Sequence, residues 1–422
     1  MLDKDIIPDW DWSTGDKCIA DLDEWQKRFP IVHEYTVTHD GEQIAAIVEE
    51  GNKQVAPCVN GKRWAETFER SWSLQFSPDD RLVCLGMRNY EWSVLVDGHP
   101  WEESYDYIWN LTFGPDGKSI AVNVKKDNEF GISLNGSMWD NKFPEARNVI
   151  ISSNGMRTAS LVKIKRVATL DIFSFSEGVI TVAVDGKAWD SRFLSIWGMT
   201  FSSDSKKVAA GVNLDRLTYT IAVDGITWDR TFYHIWEPLF KPGSHDVFAP
   251  VKIAGGWTLA MNGQPVWEKK FAQLWEHRFS PDTQKIAAVV ATVFGKWTIA
   301  VDEVPWEKTF RDAVLSPVFS PDSRKLAAIV KAGNEYTIAI NGVPWNEYFD
   351  MIWDPVFSPD SERVLVKAER KGNYFLVIDG VAGKEAYEYV WNPVFSPDGN
   401  KVLIRCITNG KYYRKVVAVD DI

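Results

Sequence analysis

Cysteine is scarce in this sequence of 422 residues, which contains only four: Cys18, Cys58, Cys84 and Cys406. They are scattered, and no two of them have the Cys-x-x-Cys spacing used by zinc, haem and iron–sulfur sites. A chain of this length can bury a large core without disulfides. We therefore expect buried free thiols, as in a reducing compartment, and no cysteine-bound cofactor.

Long apolar runs and an excess of basic residues are also lacking. The sequence contains no run of about 18 apolar residues that could span a membrane. Residues 1–9 are acidic and lack the apolar core of a signal peptide. The 47 Lys and Arg residues are outnumbered by 58 Asp and Glu residues, a net charge of −11, which disfavours nucleic acid as a partner. These properties predict a soluble cytoplasmic protein.

Motifs of catalysis are missing as well. The sequence has no Gly-x-Ser-x-Gly nucleophile turn. The segment Gly117-Lys118-Ser119 is no phosphate-binding loop, because Thr112 stands where the first glycine is required. The six histidines do not cluster, and His33 and His39 are interpreted as strand and turn residues. The sequence therefore predicts no enzyme activity, no bound cofactor and no metal site.

The chain contains an internal repeat. The tetrapeptide Phe-Ser-Pro-Asp occurs five times, and degenerate copies bring the number of anchor positions to ten. Eight of the nine gaps between anchors are 37 to 40 residues long, and the exception, of 50 residues, follows Ile151. The anchors are Val37, Phe76, Phe113, Ile151, Phe201, Phe240, Phe279, Phe319, Phe357 and Phe395.

Tryptophan is abundant, and 19 of the 21 tryptophans fall into three series of the repeat. The first series stands 12 residues before the anchor, with Trp306 displaced by one residue; the second stands four residues before it; the third is partial. Large side chains at fixed positions predict packing between repeats rather than a relay of electrons. The series are Trp25, Trp64, Trp101, Trp139, Trp189, Trp228, Trp267, Trp306 and Trp345; Trp72, Trp109, Trp197, Trp236, Trp275, Trp353 and Trp391; and Trp92, Trp257 and Trp297.

Each repeat predicts four antiparallel strands. Residues 353–357 alternate as an inner strand, and residues 325–330 are apolar enough for a strand buried on both faces. A third strand, residues 336–340, ends in Asn341-Gly342, which is a strong hairpin signal, and residues 343–345 form the fourth. No helical periodicity interrupts the series. A four-stranded module of about 40 residues is typical of a β-propeller blade.

The two ends of the chain indicate how the propeller closes. The last copy has only three strands after Phe395, and the N-terminus begins with a spare strand around Trp25. Pairing them would remove exposed strand edges. We therefore predict an all-β fold, a β-propeller of about ten four-stranded blades in a single closed ring. Residues 1–20 would form an N-terminal arm and residues 21–422 one domain; two smaller propellers are the alternative.

The Phe-Ser-Pro-Asp signature resembles the WD40-like (PD40, TolB-type) propeller repeat, over nearly the whole chain. The tryptophan series, the length and the lack of cofactor motifs also resemble the TmcD family, the tryptophan-rich soluble subunits of the Tmc-type transmembrane redox complexes of sulfate-reducing bacteria. This resemblance implies a cytoplasmic subunit without its own cofactor. It would be associated with the membrane through an iron–sulfur subunit and a membrane cytochrome b.

The fourth copy departs from the repeat through an insertion at residues 165–178. Insertions in repeat proteins map to loops, which are often the binding face, and basic and aromatic side chains are good interface anchors. An extended hairpin packed on its own blade is the other interpretation. The predicted docking residues are Arg147, Arg157, Lys165, Arg166, Leu170, Ile172, Phe173 and Phe175, with Trp10 and Trp12 of the N-terminal arm, which could instead cap the ring.

Three classes of function remain for such a chain. The first is a scaffold that docks onto a protein partner. The second is a binding module for a sugar, peptide or cation at the channel mouth, and the third is an enzyme with residues spread over several blades. The polar positions that would line the mouth are Glu34, Ser73, Asn110, Asn148, Gly198, Glu237, Glu276, Ser316, Asp354 and Asn392. The sequence favours the scaffold.

Overall fold

The computed structural model describes residues 10–49, 51, 53–165, 179–215 and 217–422. These residues form ten sheets, one α-helix, α1 (Leu22–Arg28), and one 3-10 helix (Val419–Asp421). Two compact units are present: unit 1 comprises Met1–Asn52, Pro57–Trp64 and Phe271–Ile422, and unit 2 comprises Lys53–Ala56 and Ala65–Lys270. Unit 1 contains blades 7 to 10 and most of blade 1, whereas unit 2 contains blades 2 to 6.

The strands follow the repeat, and the N-terminal strand β1 (Gly15–Asp21) belongs to blade 10. Blade 1 consists of β2 Ile31–Val32, β3 Thr36–Val37, β4 Ile44–Glu49, β5 Val55–Val59 and β6 Lys62–Arg63, and blade 2 of β7 Arg70–Phe76, β8 Leu82–Arg88, β9 Glu91–Val96 and β10 His99–Pro100. Blade 3 consists of β11 Tyr107–Phe113, β12 Ile120–Lys126, β13 Glu129–Leu134 and β14 Ser137–Met138, and blade 4 of β15 Glu145–Ile151, β16 Thr158–Lys163, β17 Ile180–Val184 and β18 Lys187–Ala188. Blade 5 consists of β19 Ser195–Phe201, β20 Val208–Asn213, β21 Tyr219–Val223 and β22 Ile226–Thr227.

Blades 6 to 10 have the same arrangement. Blade 6 consists of β23 His234–Ile235, β24 Leu239–Phe240, β25 Val247–Ile253, β26 Gly256–Met261 and β27 Gln264–Pro265, and blade 7 of β28 Gln273–Phe279, β29 Ile286–Val293, β30 Lys296–Val301 and β31 Val304–Pro305. Blade 8 consists of β32 Ala313–Phe319, β33 Leu326–Ala332, β34 Glu335–Ile340 and β35 Val343–Pro344, and blade 9 of β36 Met351–Ile352, β37 Val356–Phe357, β38 Val364–Arg370, β39 Asn373–Ile378 and β40 Val381–Ala382. Blade 10 consists of β41 Tyr389–Val390, β42 Val394–Phe395, β43 Lys401–Thr408 and β44 Lys411–Ala418, together with β1.

Within blades 1 to 9 the strands lie in chain order, and we name them a, b, c and d from first to last; in blade 10, β1 is strand d. In blade 8, β32, β33, β34 and β35 pair as consecutive antiparallel neighbours. Strands b connect to strands c at one end of the blade, which we call the b–c end. Strand b is the buried centre, so every residue from Leu326 to Val330 is buried, as the apolar run predicted. The prediction of ten four-stranded propeller blades is confirmed.

The N-terminal strand completes the last blade, as predicted. β1 pairs antiparallel with β44, with Gly15 opposite Val416 and Asp21 opposite Lys411. This strand begins inside the segment that the sequence assigned to an arm. The position predicted for the strand, around Trp25, was wrong. Trp25 lies in α1, because the Asp21 side chain accepts a hydrogen bond from the Glu24 N–H and thereby caps a helix.

Blade 10 is also joined to blade 1, within unit 1, by buried side chains that donate hydrogen bonds to one turn. The guanidinium of Arg405 donates to the Thr38 carbonyl at 3.0 Å, and that of Arg414 donates to the Asp40 carbonyl at 2.8 Å. Tyr412 donates its hydroxyl hydrogen to the Gly41 carbonyl at 3.0 Å. Because both charged groups are almost fully buried, these hydrogen bonds offset the loss of water around them.

Strand a is less regular than the alternation predicted. In six blades the residue after the second-series position has a positive φ and forms a bulge, as Ser316 does at 49°. In blades 1, 6, 9 and 10 strand a is divided in two, and the predicted continuous strand over residues 353–357 was therefore wrong. None of the corresponding residues of these four blades, Glu34, Glu237, Asp354 and Asn392, has a positive φ.

The first tryptophan series packs against the glycine of the next hairpin. Gly342 has φ 85°, as the hairpin turn requires, and a Cβ atom there would lie 3.1 Å from Trp306. The indole of one blade therefore covers the turn of its neighbour. The same pairing joins, within each unit, Trp25 to Gly61, Trp101 to Gly136, Trp139 to Gly186, Trp189 to Gly225, Trp228 to Gly263 and Trp345 to Gly380. These contacts are the packing between repeats that the sequence predicted.

Candidate functional site

The insertion of the fourth copy connects strand b to strand c of blade 4. It lies between β16, which ends at Lys163, and β17, which begins at Ile180, and therefore at the b–c end. Lys165 is exposed. The predicted docking residues Arg166, Leu170, Ile172, Phe173 and Phe175 lie outside the described residues, so their docking role stays a prediction.

The two arginines predicted beside the insertion lie at opposite ends of blade 4. Arg147 is 63% exposed and forms an ion pair with Glu145, which also pairs with Lys163. Arg157, in contrast, follows the a–b turn, away from the b–c end. Its guanidinium contacts Asp185 at 2.8 Å and the Ser205 carbonyl at 3.0 Å. Arg157 thus joins blade 4 to blade 5, whereas Arg147 remains accessible to a partner.

The tryptophans of the N-terminal arm lie against blade 10. Trp10 and Trp12 stack with ring centroids 5.9 Å apart, and both are partly buried. The Lys401 amine donates to the Trp12 carbonyl at 2.8 Å, and Arg414 donates to the Asp11 carbonyl at 2.5 Å. These contacts hold the arm to unit 1 in the manner of a cap, so docking by this pair stays a prediction.

The acidic residues of the anchor turns accept hydrogen bonds from other residues of the same turn. Ser320 donates its hydroxyl hydrogen to Asp322 at 2.6 Å, and this bond, with the Arg324 N–H, lowers the pKa of Asp322. The Asp322 N–H bonds the hydroxyl of Ser361 in the next blade at 3.0 Å. The carboxylate therefore caps its own turn, and the backbone N–H of Asp322 links neighbouring blades. Within the described part of the chain, no group of three or more His, Cys, Asp or Glu side chains is placed to hold a metal ion.

The polar positions predicted at the channel mouth contribute to the bulges of strand a. Ser73, Asn110, Asn148, Gly198, Glu276 and Ser316 all have positive φ. In unit 1, Glu276 accepts a hydrogen bond from the Ser316 N–H at 2.9 Å, so the two positions contact each other across neighbouring blades. A side chain used in this way holds backbone geometry, and binding of a ligand at these positions stays a prediction.

The cysteines are free, and three of the four are buried. Burial raises the pKa of Cys58 to about 11 and that of Cys84 and Cys406 to about 12. A thiol with so high a pKa carries almost no thiolate near neutral pH and is therefore a poor nucleophile. Cys18, on the edge strand β1, is exposed, so the prediction that the thiols are buried was wrong for this residue.

Sequence reasoning missed three clusters of aromatic rings, which we call the nests. Each nest contains four rings from two neighbouring blades. One blade contributes its tryptophan of the second series and an aromatic residue on strand c. The next blade contributes the first residue of its strand a and its own tryptophan of the second series. Neighbouring ring centroids lie 4.1–6.0 Å apart, and all pairs except Trp72–Trp92, at 4.1 Å, fall within the range of favourable aromatic pairs. The first nest is Trp72, Trp92, Tyr107 and Trp109; the second is Trp197, Tyr219, His234 and Trp236; the third is Trp353, Tyr374, Tyr389 and Trp391.

A lysine lies at the centre of the third nest. The amine of Lys367, on strand b of blade 9, is 4.3 Å from the ring centroids of Trp353 and Tyr389 and 4.6 Å from that of Tyr374. The side chain is only 5% exposed. Burial lowers the pKa of Lys367 to about 8, while the charge of Glu369 acts in the opposite direction. The only sequence signal was a lysine inside the otherwise apolar run 364–368.

The ten blades define the class of protein, a β-propeller. No protein-family model and no curated protein matches the chain. Solved structures similar to it include a eukaryotic initiation factor (TM-score 0.46, 13% identity, 75% of this chain and 87% of that one). Others are the β-propeller domains of the Trilobed protease from Pyrococcus furiosus (0.29, 11%, 66% and 94%) and of Cps50 (Swd1) from Myceliophteria thermophila (0.30, 11%, 65% and 99%). Likenesses this distant carry no argument about function.

Proposed function

We propose that this protein is a non-catalytic scaffold that binds a protein partner through the b–c end of unit 2. The observation that carries the proposal is the exposure of large apolar side chains there. Tyr90, in the β8–β9 turn, is 84% exposed, and Leu217, between β20 and β21, is 79% exposed. Tyr233, directly before β23, is 66% exposed. Exposed aromatic and aliphatic side chains gathered at one end of a fold are typical of an interaction surface.

The insertion of blade 4 strengthens this choice of surface. The strands that flank it, β16 and β17, place its two ends at the b–c end of blade 4, and in chain order this blade lies between those that carry Tyr90 and Leu217. Arg147 and Lys165 add accessible positive charge to the same region. Apolar anchors with a charged rim are the usual composition of a protein interface.

The finer proposal concerns the identity of the partner and rests on the sequence resemblance. In that proposal the protein is a cytoplasmic subunit of a membrane-associated electron-transfer complex, and its partners are an iron–sulfur subunit and a membrane cytochrome b. The chain itself would supply a docking surface and no cofactor. In the part of the chain that the structure describes, no helix has the length and apolarity needed to cross a bilayer.

Purification from the native host tests both levels of the proposal. The tagged full-length protein is expected to retain a stoichiometric partner, identified by mass spectrometry, with the absorbance of haem or of an iron–sulfur cluster. The double variant Tyr90→Ser/Tyr233→Ser is expected to lose at least about 90% of that partner, since each anchor contributes about 1–2 kcal/mol, or about tenfold in affinity.

The matched control is Ile226→Ser, which removes an apolar side chain that is equally exposed but lies on strand d of blade 5. This variant should keep the partner. Equal retention by the tyrosine variant and the wild type would overturn the docking surface. A partner that contains neither haem nor iron–sulfur would leave the scaffold in place and overturn the redox assignment.

A further inference from the structure

Blade 7 of unit 1 carries two exposed basic side chains close together at its b–c end. The backbones of Trp297 and Phe310 form an antiparallel bridge through hydrogen bonds of 2.7 and 2.8 Å. Lys296 and Arg311 are the next pair in this register, and we call them the basic pair. Cross-strand neighbours of like charge repel each other. No ion pair joins either side chain to another described residue, so their positive charge is available to a partner.

Blade 8, the next blade of unit 1, is acidic at the same two positions. Its bridge joins Tyr336 to Phe349, and the next pair in the register is Glu335 and Asp350, which we call the acidic pair. Both side chains are exposed, and neither forms an ion pair with another described residue. Asp350 accepts a hydrogen bond from the neutral backbone N–H of Lys371 at 2.6 Å. The two blades therefore present opposite charges at equivalent positions.

The turns beside these charges differ in shape in a complementary way. In blade 7 the b–c turn is Phe294-Gly295, and the ring of Phe294 is 87% exposed. In blade 8 the equivalent turn is Gly333-Asn334. A Cβ atom at Gly333 would meet nothing within 4 Å. One turn thus carries a protruding aromatic ring, and the other has open space at the same position.

A hydrogen bond holds the two blades side by side at this end. Asp312 directly follows Arg311, and its carboxylate accepts a hydrogen bond from the Gly333 N–H at 2.7 Å. The basic pair therefore lies beside the open turn of blade 8. Because each feature of blade 7 has its complement at the equivalent position of blade 8, a two-fold axis between the blades brings complements together. We propose that a second copy of this chain binds here and that the two copies form a symmetric homodimer.

In this dimer, blade 7 of each copy faces blade 8 of the other. The basic pair of one copy contacts the acidic pair of the second, and the symmetry makes this contact occur twice. The ring of Phe294 lies over Gly333 of the other copy, which removes an exposed aromatic side chain from water. An arrangement with blade 7 on blade 7 would bring like charges together and is disfavoured. The interface is independent of the docking proposal, because it uses only unit 1.

Sedimentation equilibrium of the purified full-length protein tests this interface. The wild type is expected to be dimeric at about 50 µM, and its dissociation constant should rise at least about threefold between about 0.05 and 0.5 M salt, because exposed charges are screened. The variants Lys296→Glu/Arg311→Glu and Glu335→Lys/Asp350→Lys should each weaken the dimer at least about tenfold, because two identical copies then repel each other. Phe294→Ser removes the apolar contact and should weaken the dimer to a similar extent.

Mixing the two charge variants provides the sharpest measurement. At the four positions the first variant carries only acidic side chains and the second only basic ones, so their heterodimer has opposite charges at both contacts. An equimolar mixture should therefore recover the wild-type dissociation constant to within about threefold. Recovery would also show that both variants fold. A mixture that stays monomeric would overturn the proposal, as would a wild type that is monomeric at about 200 µM.

Lys62→Glu/Lys187→Glu is the matched control, because it makes the same change of net charge at exposed positions on strands d of blades 1 and 4. This control should dimerise like the wild type, and loss of its dimer would overturn the assignment to the charge pairs. The docking variant Tyr90→Ser/Tyr233→Ser should also remain dimeric, since both tyrosines belong to unit 2. A monomeric docking variant would overturn the assignment to unit 1 without bearing on the protein partner.

Discussion

The first and third nests use the same four positions of the repeat, yet they surround opposite kinds of side chain. Leu85 is fully buried beside Trp72 and Trp92, within one hydrophobic cluster. Lys367 occupies the same strand b position beside Trp353 and Tyr374. A frame of aromatic rings accepts both, because ring edges pack against methyl groups whereas ring faces attract a cation.

The second nest shows the limit of this tolerance. Gly211 occupies the central position, and a Cβ atom there would lie 2.9 Å from the indole of Trp197. The tryptophan itself therefore fills the space that leucine or lysine occupies elsewhere. The ring positions are set by the repeat, while the central residue decides whether the nest is a core, a cation site or a closely packed contact.

Truncation of the first nest should have the largest effect. Leu85→Ala removes most of a fully buried side chain from the middle of a hydrophobic cluster. We expect the free energy of unfolding to fall by about 2–5 kcal/mol. Urea denaturation followed by tryptophan fluorescence measures this change. A loss below about 1 kcal/mol would mean that the first nest is not a core.

Replacement of the lysine should act in the opposite direction. Since burial lowers the pKa of Lys367 in the folded protein to about 8, the folded state binds fewer protons than the unfolded state between about pH 8 and 10.4. Stability contributed by this group therefore rises across that window and is lowest below pH 8. Lys367→Leu should raise the free energy of unfolding at pH 7 by at most about 3 kcal/mol, because cation–π attraction offsets part of the penalty.

The same variant should also remove the rise in stability between pH 8 and 10. Thermal denaturation of both proteins at pH 7, 8, 9 and 10 checks both expectations, with Lys331→Leu as the control for loss of a positive charge on strand b. A wild type whose melting temperature does not rise relative to Lys367→Leu would contradict the assignment of the buried amine.

The second nest should respond least. Gly211→Ala inserts a methyl group within 2.9 Å of Trp197, and the indole has to shift. We expect a loss of about 1 kcal/mol, at the low end for overpacking, measured by the midpoint of urea unfolding. Gly333→Ala is an unsuitable control because that glycine has positive φ. Ala210→Gly, at the neighbouring buried position, reports the change in backbone freedom together with the loss of one buried methyl group. A gain in stability would show that the nest contains unfilled space.

Much of the fold could be predicted from single repeats. The Asn341-Gly342 hairpin, the buried run ending at Val330 and the anchor turn at Asp322 each depend on neighbours along the chain. The helix around Trp25 could not be predicted from the repeat. This segment carries the tryptophan of the repeat, but the Asp21 side chain caps a helix there, and the cap decides the local conformation. The division of strand a in four blades was not predicted, because the alternation of apolar residues does not show which residues adopt a positive φ and which do not.

The candidate sites were predictable only in part. The insertion is visible as an irregular gap, and the structure assigns it to the b–c end through β16 and β17. Exposure of Tyr90 and Tyr233 leaves no pattern in the sequence. Arg157 was grouped with Arg147 by nearness in sequence, yet antiparallel strands carry the two to opposite ends of the blade.

By itself the sequence determined the blade, its four strands, the number of copies and the completion of blade 10 by the N-terminus. Each of these follows from spacing along the chain. Only the tertiary structure decided which rings are in contact. The rings of a nest come from two neighbouring blades, and the residue at its centre lies on another strand, strand b. The tryptophan series predicted packing between blades. The fold determined that this packing encloses an amine at Lys367, because burial and ring geometry depend on neighbours that are distant in sequence.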